Sequence, residues 1–322
     1  MTSTNNPKLS IVTTLYYSSR YIEEFYTRIT KEANKITDSY EIIFVDDGSP
    51  DDSLQKAIEI HNKDPKVKVI ELSRNFGHHK AIMTGLSFAK GDYIFLIDVD
   101  LEEQPELLGK FWEEIHKYQD TDVVYGIQEK RKGNLLDRIT GEIFYTIFSF
   151  ISSTKIPRNF MTVRLMKKKY CQSLIKHKER ETIIAGLFSI TGFKQRAVKI
   201  EKYKRFSTSY SLIKRISVFV NAITSFSNVP LILIFWVGIV VSLISFTYAL
   251  WIIYRKIVYG IPIEGWSSIM VAILTLGGII LISLGIIGIY LSKVFIETKQ
   301  RPYTIIREIY QKKELKNYEK SN

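Results

Sequence analysis

Over the first hundred residues, short apolar runs alternate with longer stretches whose apolar positions recur at helical spacing. Lys8 to Leu15 and Tyr40 to Val45 have the length and β-rich composition of strands, and Tyr21 to Asn34 between them reads as a helix. The alternation continues with a helix over Ser53 to Asn62, a strand over Val67 to Leu72, a helix over Lys80 to Ala89 and a strand over Tyr93 to Ile97. Repeated β-α-β units of this kind predict a mostly parallel, doubly wound α/β sheet.

Near Phe226 the pattern changes. Val229 to Tyr254 carries no charge, and Trp266 to Val294 is equally apolar until Lys293. At about 1.5 Å per residue each run outspans a hydrocarbon core of roughly 30 Å, so two transmembrane helices are expected. Only Arg255 to Gly265 separates them, whereas Lys299, Arg301, Arg307, Lys312, Lys313, Lys316 and Lys320 follow. The positive-inside rule then places both termini in the cytoplasm. Ser207 to Asn228 brings Ile213, Ile216, Phe219, Val220, Ile223 and Phe226 to near-helical spacing beside Lys214 and Arg215, as in a helix lying on a membrane surface. Leu135 to Ile151 has a similar apolar stripe that suits either a surface helix or a core helix.

These changes divide the chain into a catalytic domain (1–206), a juxtamembrane amphipathic segment (207–228), the pair of spans (229–254 and 266–294) and a basic tail (295–322). A formal net charge of +12 favours anionic partners. No zinc-finger spacing, RNA-binding aromatic signature or arginine-rich arm accompanies it, which sets nucleic acid aside and leaves membrane lipids and phosphorylated substrates. Cys171 is the single cysteine, so an intramolecular disulfide and a cysteine metal cage are both excluded, in keeping with a cytoplasmic catalytic domain. Met1 to Ser10 lacks the apolar core of a cleaved signal peptide, so insertion is expected to rest on the later runs.

Ligands of open α/β sheets bind beyond the carboxyl ends of the strands. There the sequence places Asp46-Asp47-Gly48-Ser49, then Ser73-Arg74-Asn75-Phe76-Gly77-His78, then Asp98-Val99-Asp100. A DXD pair is weak alone. Capping a strand in the same sheet as a second acidic strand end, it can gather carboxylates around Mg²⁺ or Mn²⁺, hard cations that complete their shells with substrate phosphates. Such an ion suits a diphosphate leaving group. His78 and His79 could also bind metal, but adjacent loop histidines read more readily as hydrogen-bonding or solvated residues.

Taken in order, LSIVTTLYYSSRYI, EIIFVDDGSPDDS, ELSRNFGHHKAIMTGL and GDYIFLIDVDLEEQPELL resemble the family-two glycosyltransferases of GT-A fold. The SRNFGH segment, the juxtamembrane segment and the terminal pair of spans are similar to the polyprenyl-phosphate sugar transferases within that group. The resemblance implies a Rossmann-like GT-A domain followed by amphipathic and transmembrane helices. It further implies transfer of a sugar, with inversion, from a nucleotide-sugar donor to a polyprenyl phosphate at the inner or plasma membrane. Asp46 and Asp47 would bind base and ribose, with Thr14, Leu15, Tyr16 and Arg74 completing the nucleotide pocket. Asp98 and Asp100 would hold the donor diphosphate through the metal, and Arg164 would belong to the catalytic group. Lys202 and Arg205, in a basic stretch ahead of Ser-Thr-Ser-Tyr, would bind phosphate or form a basic collar at the membrane, two compatible roles.

The chain departs from the family at Thr162, where an aspartate is usual, and at Thr14, Tyr17 and Ser18. A lipid phosphate, with a second pKa of about 6, is already an anionic nucleophile near neutral pH, so a strong general base is dispensable. The rival enzyme reading is a membrane transferase that extends a saccharide, with Glu179 or Glu181 as base, but the Gln-x-x-Arg-Trp segment of such enzymes is missing. A non-catalytic scaffold is argued against by intact Asp98 and Asp100. Gly238 and Ser242, one helical turn apart, permit close packing of spans in a homo-oligomer.

Overall fold

The computed structural model describes residues 7–128, 160–179, 184–201, 220, 223–225, 227–259 and 265–312. The chain forms two compact units, one of residues 1–145, 154–209 and 301–322, the other of residues 146–153 and 210–300. The amphipathic stretch over Leu135 to Ile151, most of that over Ser207 to Asn228, and Glu181, Lys202 and Arg205 lie outside the described residues.

In the first unit, β1 (Leu9–Leu15), α1 (Ile22–Ile36), β2 (Tyr40–Asp46), α2 (Ser53–Lys63), β3 (Val67–Leu72), α3 (His78–Phe88) and β4 (Tyr93–Leu96) follow the order expected from the sequence. Beyond them come α4 (Leu107–Lys117), β5 (Val123–Gln128), β6 (Phe160–Lys167), α5 (Lys168–Leu174), α6 (Ile184–Ile190), β7 (Gln195–Ile200) and, near the C-terminus, β8 (Ile306–Tyr310). The sheet order is β7-β5-β6-β4-β1-β2-β3-β8. Strands β1 to β4 run parallel, as do β5 and β7, whereas β6 is antiparallel to both β4 and β5 and β8 is antiparallel to β3.

Every residue of β1 is buried, which is what a central strand covered by helices on both faces requires. Period-two alternation sorts its neighbours between two cores. Ile42 and Phe44 of β2 pack with Ile22, Phe25 and Ile29 of α1, while Ile43 and Val45 face Ala81, Ile82 and Leu86 of α3. Gly85 lets α3 settle onto the sheet, since a Cβ there would meet Val12 Cγ1 at 2.6 Å and Val45 Cγ2 at 2.8 Å.

The second unit contains α7 (Val229–Tyr259) and α8 (Trp266–Thr298), each running past the end of the apolar stretch that announced it. Both are long and apolar enough to cross a membrane, and none of the most apolar part of either is buried. Phe246 is 66% exposed and Leu281 71%. Leaving each such side chain in water forgoes roughly 1.5–3 kcal/mol, so this surface calls for an apolar surrounding and not for the core of a soluble domain. Lys293, the charge near the end of α8, donates from Nζ to Ser225 Oγ at 2.6 Å, and Tyr290 OH donates to the Ser227 carbonyl at 2.7 Å.

The tail departs from its expected form. Residues 306–310 of the basic segment close the exposed edge of β3 as an eighth strand, and Arg307 Nη1 donates to the buried Glu71 at 2.8 Å. An open edge and a buried carboxylate both demand partners, and IREIY supplies them.

Candidate active site

The carboxyl ends of β1, β2, β3 and β4 lie side by side, and each continues into a polar loop. At the end of β2, Asp46 stands opposite Leu15 of β1 and Glu71 of β3. Its Oδ2 accepts the backbone N–H groups of Gly48 and Ser49 at 3.1 and 3.3 Å. Its Oδ1 is buried and has no hydrogen-bond partner among the described residues. Burial pushes the carboxyl up to about 6, with the Ser49 and Gly48 N–H groups opposing the rise and the charges of Glu71 and Asp47 adding to it.

Asp47 is committed to the next loop. Oδ1 accepts the Phe76 N–H at 2.7 Å and Oδ2 that of Gly77 at 3.0 Å, so the carboxylate holds the chain just ahead of α3. Burial raises its pKa, opposed by those two N–H groups. Arg74, on the same loop, is exposed, with Nη1 donating to the Asn75 carbonyl at 3.2 Å and its guanidinium 4.3 Å from the centre of the Phe76 ring.

Three consecutive backbone N–H groups of the loop after β1 tie it to the segment after β2. Tyr17 N–H donates to Ser49 Oγ at 2.8 Å, Ser18 N–H to Ser53 Oγ at 2.9 Å, and Ser19 N–H to Asp51 Oδ2 at 3.1 Å. Burial alone would raise the Asp51 pKa, but hydrogen bonds from Ser49, Ser53 and Ser19 outweigh it and leave a net depression. Tyr17 takes a left-handed φ of 52°, a conformation that costs a bulky residue about 1–3 kcal/mol and that these cross-links hold. Tyr16 and Tyr17 are exposed at the rim, with ring centres 4.8 Å apart.

Two of the expected site residues lie in the interior. Leu15, expected to line the nucleotide pocket, turns its side chain into the α1 core and offers only its carbonyl, which accepts the Asp47 N–H at 3.0 Å. Arg164, expected in the catalytic group, is enclosed on β6 opposite Leu96. Its Nε and Nη2 donate to the Thr162 and Met161 carbonyls at 3.0 and 3.2 Å, and its guanidinium lies 3.1 Å from the centre of the Phe188 ring. Burial lowers it to about 10, opposed by interactions with Tyr170, Glu103 and Tyr125, so it stays cationic at neutral pH and steadies the strand beside β4.

Beyond β4, alternation does the positioning. Val99 and Leu101 are each only 3% exposed, and between and before them Asp100 and Asp98 remain partly exposed. Leu101 takes φ 60°, and Asp100 Oδ1 accepts the Glu102 N–H at 2.9 Å, which fixes the carboxylate at the mouth of the turn.

His78, read from sequence as a hydrogen-bonding or solvated loop residue, joins these strand ends. Its Nδ1 is 3.0 Å from Thr14 Oγ1 and its Nε2 is 3.4 Å from Asp98 Oδ1. The neutral tautomer with a proton on Nε2 satisfies both contacts, accepting from the threonine hydroxyl and pointing its N–H at the carboxylate. The SRNFGH segment singles out this histidine but not its partners, which come from two distant strands.

Asp98 and Asp100 provide hard oxygen donors, and among the described residues there is no group of three or more side chains able to enclose a metal ion. A pair of partly exposed carboxylates without a full protein cage fits a cation that takes the rest of its shell from substrate phosphates and water.

Residues 10–175 match the family described as glycosyl transferase family 2, and that match covers more than half of the chain. The chain belongs to this family. The GT-A transferase also resembles, over nearly its whole length, curated proteins that carry the C-terminal region. A Mycobacterium tuberculosis protein described among glycosyltransferases is 48% identical over 94% of this chain and 88% of its own. The glycosyltransferase YkcC of Bacillus subtilis is 37% identical over 94% of each chain. The bactoprenol glucosyl transferase of Shigella phage SfV is 33% identical over 95% of this chain and 100% of its own.

The elevated Asp46 carboxyl gives a prediction with a definite sign. A folded pKa above the ordinary 3.8 stabilises the fold below about pH 4, and this contribution is lost as the pH rises through about 6. Asp46→Asn, which does not ionise, should therefore gain stability relative to the native chain across that window, by roughly 3 kcal/mol, with a constant difference above it. Melting midpoints from pH 4 to pH 8 read this directly; parallel curves would mean that Asp46 ionises like an exposed carboxylate.

Proposed function

We propose that this transferase moves a sugar from a nucleotide donor onto the phosphate of a polyprenyl carrier at the cytoplasmic face of the membrane. The observation that carries this reading is the extent of the likeness to bactoprenol glucosyl transferases, which takes in the two apolar helices as well as the catalytic domain. In the reaction a phosphate oxygen of the acceptor forms the new bond to the anomeric carbon while the bond to the donor diphosphate breaks, and the nucleoside diphosphate leaves with the electron pair.

The residues divide the work by position. Asp46, with an unfilled acceptor site, and the Asp47–Phe76 turn face the nucleotide, together with Thr14, Tyr16 and Arg74. Asp98 and Asp100 would hold Mg²⁺ or Mn²⁺, which supplies charge neutralisation for the departing diphosphate. His78 keeps the Asp98 carboxylate aimed. Lys202 and Arg205 are assigned to the acceptor phosphate, which needs orientation more than deprotonation because it is already anionic. Thr162 in place of an acid is consistent with that chemistry.

The sheet draws strands from both sides of the helical pair, β1 to β7 before it and β8 after it. One folded domain built from both ends of a hairpin supports a topology in which the two spans return the chain to the side it left, in agreement with the basic residues that follow the second span.

The test is transfer from a panel of radiolabelled nucleotide sugars to undecaprenyl phosphate by the purified full chain in detergent, with Mg²⁺, Mn²⁺ or chelator. A metal-dependent, organic-extractable product is expected from one donor. Label appearing only in an oligosaccharide or a lengthened glycolipid would replace the phosphate acceptor with a sugar hydroxyl.

A further inference from the structure

We propose that the segment following the second apolar helix is part of the donor site, with Arg307 as a positioning residue for the Ser73–Gly77 loop. The proposal rests on the reading of that loop and of Asp47 as nucleotide-binding.

Five hydrogen bonds from the tail converge on the first residue of the loop and on the two elements that flank it. Ser73, the first residue beyond β3, is held through both backbone groups: its N–H donates to the Ile305 carbonyl at 2.9 Å, and its carbonyl accepts from Arg307 Nη2 at 2.9 Å. The other arm of Arg307 reaches Glu71 Oε1 at 2.8 Å, and Tyr310 OH donates to Glu71 Oε2 at 3.1 Å. Thr304 Oγ1 lies 2.8 Å from Thr84 Oγ1 on α3, and Tyr303 and Ile306 pack on the core formed by Ile70, Leu72 and Met83.

Closing a sheet edge requires only a ladder and an apolar contact. Arg307 does something more specific, because its fork bridges a buried carboxylate and the first carbonyl of a functional loop. Glu71 is the register partner of Asp46, and its charge raises the Asp46 pKa. Pairing Glu71 with a guanidinium therefore limits the charge that bears on Asp46. Fixing Ser73 sets where Phe76 and Gly77 present their N–H groups to Asp47. The tail thus reaches the nucleotide region by two routes, one electrostatic and one geometric, although it follows the matched family region by more than a hundred residues.

The experiment uses the full chain in detergent, with UDP, GDP and dTDP titrated calorimetrically in the presence of Mn²⁺ and with steady-state kinetics for the preferred donor. Arg307→Ala should weaken nucleoside diphosphate binding and raise the donor KM roughly tenfold, with kcat and the acceptor KM changed less than about threefold. Arg307→Lys, which keeps the charge but cannot span both partners, should recover part of the loss. In a Glu71→Gln background the Arg307→Ala effect should shrink, since one of its two targets has lost its charge. Lys312→Ala, a nearby exposed cation, should leave binding unchanged. Equal nucleotide affinity in the native chain and Arg307→Ala, with only a lower melting midpoint, would reduce the tail to an edge cover and overturn the proposal. If the native chain itself binds none of the three nucleotides, the donor-site reading fails first and takes the proposal with it. Should Arg307→Ala not fold, Arg307→Lys carries the same comparison.

Discussion

Asp100→Asn is expected to lower metal-dependent transfer at least about 100-fold while leaving the fold intact. The substitution keeps the shape of the side chain and its Oδ1 acceptor, so the bond from the Glu102 N–H at 2.9 Å survives. Val99 and Leu101 remain buried on either side and continue to direct the turn. Only the charge is removed. On the proposed reading a hard divalent cation would lose one of its two anionic protein ligands, and the diphosphate, which carries charge of its own, would lose the ion that makes its approach to Asp98 favourable. Initial rates measured against Mn²⁺ concentration separate the effects: a metal-binding role shifts the half-saturating concentration upward as well as depressing the maximum. Turnover and metal dependence equal to those of the native chain would remove Asp100 from the site, and a matched melting midpoint confirms that the comparison concerns chemistry and not folding.

The acidic turns were legible because strand ends are easy to locate. EIIFV and YIFLI are apolar runs that break abruptly at carboxylates, and a parallel sheet puts all such breaks at one edge. What the sequence concealed was which side chains turn toward that edge. Leu15 sits between Thr14 and Tyr16 but points into the α1 core, a consequence of period-two alternation that motif matching ignores. Arg164 was placed in the catalytic group by the resemblance of its segment to the family's, and only the observed packing of Phe188 over it reveals the enclosure. The partner of His78 was hidden even though the SRNFGH segment contains the histidine, since Thr14 lies 64 residues away in the chain. The tail strand was hidden for the same reason at greater length: Arg307 meets Glu71 across 236 residues, and its alternation was submerged in a run of basic residues that reads as a solvated tail. Local pattern located the acidic strand ends; contacts between distant strands and loops decided the arrangement around them.

Gly48→Ala should damage both stability and donor binding, and it tests whether the turns after β2 and β3 act as one device. Gly48 has φ 64°, a left-handed conformation that alone costs another residue about 1–3 kcal/mol. A Cβ at this position would lie 2.5 Å from Arg74 C and from Asn75 N, and 2.9 Å from Arg74 Cα. All three are backbone atoms, so no rotamer change relieves the overlap, and the Arg74–Asn75 segment must move. Forced displacement in a packed region costs roughly a further 1–3 kcal/mol, which puts the expected total near 2–6 kcal/mol. The movement then spreads along identified bonds. Phe76 and Gly77 leave their places over Asp47, Arg74 shifts with its loop, and the Gly48 and Ser49 N–H groups that accompany Asp46 lose alignment. Donor affinity should therefore fall at least about tenfold in whatever fraction remains folded, which nucleoside diphosphate titration at a temperature well below the melting midpoint measures directly. A variant that melts earlier yet binds nucleotide with native affinity would show that the two turns are packed together without sharing a function, and the role assigned to the Asp47–Phe76 contact would have to be abandoned.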